Sequence, residues 1–221
     1  MGQLRCLGIA AAAWLGLIVP AAALSYSTVE IDDGKCRPNC ASAIVATGSI
    51  NGREVEDLTW FMRHSGKNKR LAKLFIIHSG GGNAYGGLSL GMYLRQAGVT
   101  VMVAQTNGEP ITRTGGLGRG LCGSACVFVL AGGAKRVVPQ GSVVAVHGAR
   151  PVQTEVHDRM AGTVTSIKVD RDQIATAFAS YYQKMGINPG LAKLAESIPH
   201  SEFRVLSPQE LSKFRLATTR M

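Results

Sequence analysis

Aromatic residues make up only 6% of the 221-residue chain, and no 20- to 50-residue segment repeats. The second absence excludes solenoids and propeller arrays, whose units cannot bury a core alone and must stack in series. The basic residues are not bunched. Lys67, Lys69 and Arg70 are the densest group and no aromatic-rich strand accompanies them. The formal charge of +10 therefore reads as a solvated face, drawn to anionic lipid or acidic partners, and not as a nucleic-acid surface. Cysteine is sparse too, with five residues and no C-x2-C spacing. The two C-x3-C spacings, Cys36 to Cys40 and Cys122 to Cys126, depart from the usual zinc pattern. No metal and no cofactor are expected.

Apolar residues, at 46%, are enough for the core of one ordinary domain, with little left for a second. The 27 glycines have no period and cluster in SGGGNAYGG and NGEPITRTGGLGRGLCG, which marks turns and close backbone approaches.

The stretch MGQLRCLGIAAAAWLGLIVPAAALS opens with a short basic region carrying Arg5, continues uncharged and apolar, and reaches the small-residue site Ala21-Ala22-Ala23. It predicts a secretory signal over 1–23. The competing reading is an uncleaved anchor, because Cys6 to Leu24 is uncharged over 19 residues, near the spanning length. That anchor would be the only membrane contact. Export places the protein in the periplasm or outside the cell, where disulfides persist. Cys6 and Arg5 leave with the signal. Cys36, Cys40, Cys122 and Cys126 remain as an even set with three possible pairings.

After a Cys-bearing leading segment, 24–41, the chain reads as a single domain over 42–219. SAIVATGSI (42–50) is a strand ending at Asn51-Gly52. REVEDLTWFMRHSG then places Val55, Leu58, Phe61 and Met62 at helical spacing, with Gly66 as a stop. Leu74 to His78 is a buried strand running into glycines, residues 84–97 are helical, and VTVMVAQ is a strand again. Strand, glycine turn, helix, strand is the unit that builds parallel sheets buried on both faces. Gly123 to Leu130 reads as a helix start, Lys135 to Val138 as a short strand, and SVVAVHG as a strand with His147 at its carboxyl end. From Val156 to Met185 charges and apolar residues alternate as on long helices, closed by Gly186. Ser207-Pro208-Gln209-Glu210 has the form of a capping box.

Two residues stand out chemically. Ser124, between Gly123 and Ala125, has room for an approaching substrate, and a serine becomes a nucleophile only beside a base and donors for its oxyanion. The plainer reading is that Ser124 caps the helix it precedes. His147 ends a strand at the edge where α/β sheets bind ligands, and its near-neutral pKa suits proton transfer. His78 ends a strand as well. His64, His157 and His200 lie in polar contexts and read as surface residues.

The run LFIIHSGGGNAYGGLSLGMYLRQAGVTVMVAQ, followed by CGSACVFVLAGGAKRVVPQGSVVAVHG and a late LSPQEL, resembles the ClpP-like serine peptidases of the ClpP/crotonase superfamily, in particular exported bacterial ClpP-like proteins. The resemblance covers roughly residues 43–150 well and the tail weakly. It implies an α/β fold, a single-domain ClpP/crotonase-like spiral of repeated β-β-α units, with Ser124 as nucleophile and His147 as general base. It further implies an oxyanion hole from the backbone amides of Gly82 and Ala125, a peptide or protein substrate, and a homo-oligomer. The family usually adds an aspartate after the long helix, and LAKLAESIPHSEFRVLS has none; Glu196 and Ser197 are the candidates near that position, with Glu196 reading rather as a solvated helix-face residue and a Ser124–His147 dyad, or a triad closed by Ser197, left open. A serine–lysine dyad would call on Lys135 or Lys168, and neither sits where that pattern needs it. Cys122 and Cys126 flank the nucleophile and would brace its turn as a disulfide, or one could tie to Cys36 or Cys40. Two other functions fit the same residues: a degenerate module that holds a peptide without cutting it, and crotonase-type thioester chemistry, which would use the same oxyanion hole and not need Ser124.

Overall fold

The computed structural model describes residues 22–218 apart from 66, 68, 151 and 159–162. The signal expected over 1–23 lies outside the described residues except for Ala22 and Ala23. Residues 24–41 do more than lead in. They contain β1 (Ser25–Ile31), which pairs antiparallel with β2 (Ala41–Thr47) from Ser25↔Thr47 to Ile31↔Ala41. This strand is hard to see in sequence because Val29 is its one buried residue.

The turn at Asn51-Gly52 leads into α1 (Glu54–His64). The middle of the sheet follows as β3 (Leu71–His78), α2 (Ala84–Gln96) and β4 (Thr100–Gln105). The helix starts where Asn83 accepts a hydrogen bond from the Gly86 amide at 3.0 Å, the side-chain cap that satisfies an otherwise orphaned donor. β2, β3 and β4 run parallel, in the register Val45↔Ile76 and Ile76↔Met102. Short β5 (Gly118–Arg119) closes antiparallel on β4. Next come β6 (Leu121–Gly123), α3 (Cys126–Gly132) and β7 (Lys135–Val137), the last returning parallel to β4. β8 (Val143–Val146) pairs parallel with β6 and begins a second sheet.

Alternation along the parallel strands sends side chains to two separate layers. Ile44, Ala46, Phe75, Ile77, Val101 and Val103 face the main core with the helices. Ala43, Val45, Ile76, Met102 and Ala104 face a smaller cluster on the reverse side. Both faces are thus covered, which is why these strands appear in sequence as unbroken apolar runs.

The segment after His147 departs from expectation. The sequence predicts long helices from Val156 to Met185; the chain instead forms a hairpin of β9 (Val152–Asp158) and β10 (Thr163–Val169), in register from Val169↔Val152 to Thr163↔Asp158. Only α4 (Arg171–Lys184) is helical, opened by a capping box between Asp170 and Gln173. TVTSIKV carries five β-branched residues in seven, and these lose side-chain freedom in a helix but fit a pleated strand. Beyond Gly186 lie α5 (Gly190–Glu196), β11 (Arg204–Val205) and α6 (Pro208–Lys213), the last with the expected Ser207–Glu210 capping box. β11 pairs antiparallel with β8, so the second sheet runs β11-β8-β6. A single bridge, Ser79↔Cys122, ties the end of β3 to β6. That bridge brings the triple-glycine turn against the serine turn.

Candidate active site

Ser124 sits in the two-residue connection between β6 and α3. Its amide extends the β6–β8 ladder by donating to Ala145 O at 2.9 Å. Its φ is +52°, one of two positive values among the described non-glycine residues, and holding an L-residue there costs about 1–2 kcal/mol. Such strain persists only where the surroundings over-determine it, commonly at functional sites. The capping role considered for Ser124 is not what the chain adopts. Ala125 is the N-cap residue of α3, no side chain caps that helix, and Ser124 Oγ makes no hydrogen bond among the described residues.

Two amides at this turn have no acceptor among the described residues. Neither Gly82 N–H nor Ala125 N–H donates to any atom among the described residues. Gly81 and Gly82 adopt φ of +106° and +136°, where a side chain is strained. The packing forbids one as well: a Cβ on Gly81 would lie 2.6 Å from both Gly123 O and Ser124 Cβ. The glycines let this backbone press against the serine turn.

His147 follows β8 directly, held between β6 and β11. Its Nδ1 lies 2.9 Å from Gly148 O. A carbonyl has no proton to give, so this contact is a hydrogen bond only with Nδ1 protonated, and the neutral ring then carries its free lone pair on Nε2. The ring is flanked edge-to-face by His200 at 4.6 Å and Phe203 at 4.7 Å between centroids. His200, expected at the surface because of its polar neighbours in sequence, instead lines the same cavity and places its own Nδ1 3.0 Å from Gly148 O. Only the return of the chain from α5 to β11 brings it there, and no local pattern announces it.

The other candidate base lies elsewhere. His78 borders a different depression, beside Thr47 and Ser49. Its Nδ1 accepts the Leu121 amide at 3.0 Å, and partial burial lowers its pKa.

Of the two candidates for a third catalytic residue, Ser197 is exposed and donates its hydroxyl to Leu194 O at 2.7 Å. Glu196, expected on a solvated helix face, instead enters the cavity wall, yet it does not bond His147. Its Oε1 accepts the Ala149 amide at 3.0 Å, and its Oε2 is buried with no partner among the described residues. Nearby, burial pushes the Tyr182 phenol far up, with Tyr181 and Glu196 adding to the effect.

The cysteines pair within each short spacing, Cys36 with Cys40 (Cα–Cα 4.7 Å) and Cys122 with Cys126 (5.2 Å). The second bridge encloses Ser124 in a five-residue ring whose two sulfur-bearing residues are fully buried. Among the described residues the one triad of metal-type ligands, Asp32, Cys36 and Cys40, has both sulfurs committed to the first bridge.

Ser124, Ala125, Gly82 and His147 all line one cavity of about 420 Å³. One part of its lining is apolar, formed by Phe128, Ile174, Ala177, Phe178, Tyr182 and Ala195. No protein-family model matches the chain, and no curated protein matches it. Solved structures do. ClpP1 from Listeria monocytogenes is similar over 81% of this chain and 90% of its own, at 11% identity and a TM-score of 0.50. An alanine mutant of the 1510-N membrane-bound stomatin-specific protease covers 81% of this chain and 77% of its own, at 16% identity and a TM-score of 0.48. Human enoyl coenzyme A hydratase domain-containing protein 3 covers 89% and 70%, at 13% identity and a TM-score of 0.44.

Proposed function

We propose that this chain, whose fold is that of the ClpP/crotonase superfamily, is a serine hydrolase that cleaves peptides or proteins. The observation that carries the reading is that a strained serine, an imidazole whose Nε2 has no partner among the described residues, and two amides without acceptors among them all line one cavity. In the reaction Ser124 Oγ attacks a peptide carbonyl carbon while His147 Nε2 takes its proton. The oxyanion that forms is received by the Gly82 and Ala125 amides. When the C–N bond breaks, His147 passes that proton to the leaving amine, and a water then releases the acyl group by the same route. The apolar wall of the cavity suits an apolar side chain of the substrate.

Ser124 and His147 are not hydrogen-bonded to one another in the free chain. Such contacts commonly tighten only when substrate is bound. The same observation, with no carboxylate on His147 among the described residues, favours a second reading in which the cleft holds a peptide without cutting it. A fluorophosphonate probe separates the two. The hydrolase reading expects labelling of the wild type that is lost in both Ser124→Ala and His147→Ala; a folded, unlabelled wild type would leave the binding module. Export and self-association belong to the same proposal. A mature chain beginning at Leu24, found by N-terminal sequencing of protein from the cell envelope, is the expected result for export, and a mass above that of one chain in analytical ultracentrifugation is expected for self-association.

A further inference from the structure

Among the described residues His147 has no carboxylate on its Nδ1, but one stands a single peptide group away. The peptide joining Gly148 to Ala149 presents its carbonyl to His147 Nδ1 at 2.9 Å and its N–H to Glu196 Oε1 at 3.0 Å. These are the two ends of one planar, conjugated unit. It is clamped from the neighbouring side as well, because the Gly148 amide donates to Ile198 O at 2.9 Å. The approach needs a glycine: a Cβ at position 148 would lie 2.7 Å from Ile198 O and 3.3 Å from Glu196 Oε2. His200 Nδ1, 3.0 Å from the same carbonyl, occupies the oxygen's second lone pair.

We propose that Glu196 is a positioning residue that acts on His147 through the 148–149 peptide. A carboxylate accepting from the N–H polarises the amide and strengthens its oxygen as an acceptor, since hydrogen bonds in series reinforce one another. The stronger acceptor holds the proton on Nδ1, keeps Nε2 free to take a proton from Ser124, and fixes the plane of the ring. Glu196 Oε2 is buried and has no partner among the described residues, so the bond from the Ala149 amide to Oε1 is what anchors the carboxylate to the unit. The catalytic consequence rests on the hydrolase reading of Ser124 and His147, whereas the tautomer of His147 does not.

Two variants separate this from a direct acid–imidazole contact. Glu196→Gln retains an oxygen for the Ala149 amide and removes the charge; Glu196→Ala removes both. With a fluorophosphonate, Glu196→Gln is expected to label within about tenfold of wild type and Glu196→Ala about 10- to 100-fold more slowly, the range seen when a supporting partner of a working group is lost. With a peptide substrate the Glu196→Ala loss should fall on kcat, with KM little changed. A Glu196→Gln loss of about a thousandfold or more would mean a direct charge contact, where amide for acid costs about 10⁴-fold, and would overturn the relay. A Glu196→Ala protein labelling at the wild-type rate would overturn it too. Independently of activity, ¹⁵N shifts of the His147 ring should report the Nδ1–H tautomer in wild type and in Glu196→Gln; an Nε2–H tautomer in wild type refutes the relay even if the chain proves to be a binding module. Should Glu196→Ala fail to fold, the Glu196→Gln rate and the ring shifts decide alone. Absence of any wild-type labelling would count against the hydrolase reading, and the ring shifts would still test the relay.

Discussion

Placing a methyl group on Gly82 probes the proposed oxyanion hole without touching the proposed nucleophile, Ser124, or base, His147. The new Cβ would sit 2.2 Å from Ile50 O and 3.0 Å from Ile50 N, at a φ of +136°. Holding alanine at such a φ costs about 1–3 kcal/mol. Moving the Ile50 carbonyl away weakens the Asn83 amide bond to it, 2.8 Å long, which is worth about 1 kcal/mol. The stability loss is therefore about 2–4 kcal/mol. Taken from a typical 10 kcal/mol or so, it leaves about one molecule in 10,000 unfolded, or fewer. Unfolding thus accounts for almost none of any lost activity. If the proposed mechanism holds, displacing this backbone turns the 82 amide from the oxyanion, and loss of one such donor costs about 100- to 1000-fold. The assay pairs the second-order rate of fluorophosphonate labelling with thermal unfolding. Gly186→Ala is the control: its φ is +70° and nothing lies within 4 Å of the new methyl, so it should lose about 1 kcal/mol of stability and no labelling rate. A folded Gly82→Ala protein labelled within about threefold of wild type would refute the assignment of that amide.

Ser124→Gly should be more stable than Ser124→Ala by about 1 kcal/mol, because glycine tolerates the φ of +52° and alanine does not; equal melting temperatures would contradict the strain. Removing either disulfide by paired alanine substitution should cost about 2 kcal/mol, the chain-entropy value for so short a ring. Only the Cys122/Cys126 pair should also slow labelling, since it encloses Ser124 while Cys36/Cys40 lies outside the cavity. Equal labelling by both double variants would argue against the brace. His78 predicts an acid-sensitive step. Burial lowers its pKa from the usual 6.5, so the unfolded chain binds the proton more readily than the folded one. The stability it contributes is full above about pH 6.5 and falls away as pH drops toward the lower folded value. Melting temperatures from pH 8 to pH 5 should decline less in His78→Asn than in wild type, and parallel curves would be the contrary result.

Local pattern was enough for the parallel strands, for α2, and for the Ser207 capping box. A strand covered on both faces must be apolar throughout, and a helix start must supply acceptors for its own free amides, so both leave marks within a few residues. The resemblance carried Ser124, His147, Gly82 and Ala125 to one place, and the fold brings those four to a single cavity. What depended on contacts between distant segments was not legible. β1 has one buried residue to betray it, and the β9–β10 hairpin was hidden by charges that read equally well on helices. The pairing of the cysteines required coordinates, because spacing alone permits three answers.

Glu196 and His200 show the division most sharply. The resemblance placed a carboxylate near the position where it implies an aspartate, but did not say which atom it would bond. That was decided where the turn after α5 folds back on the residues following β8, some fifty positions earlier in the chain. There Gly148 has no side chain to hold the two segments apart, and the carboxylate meets a peptide N–H before it can reach the ring. Periodicity reports what a residue's near neighbours require; a meeting of this kind is fixed by the packing of the whole domain.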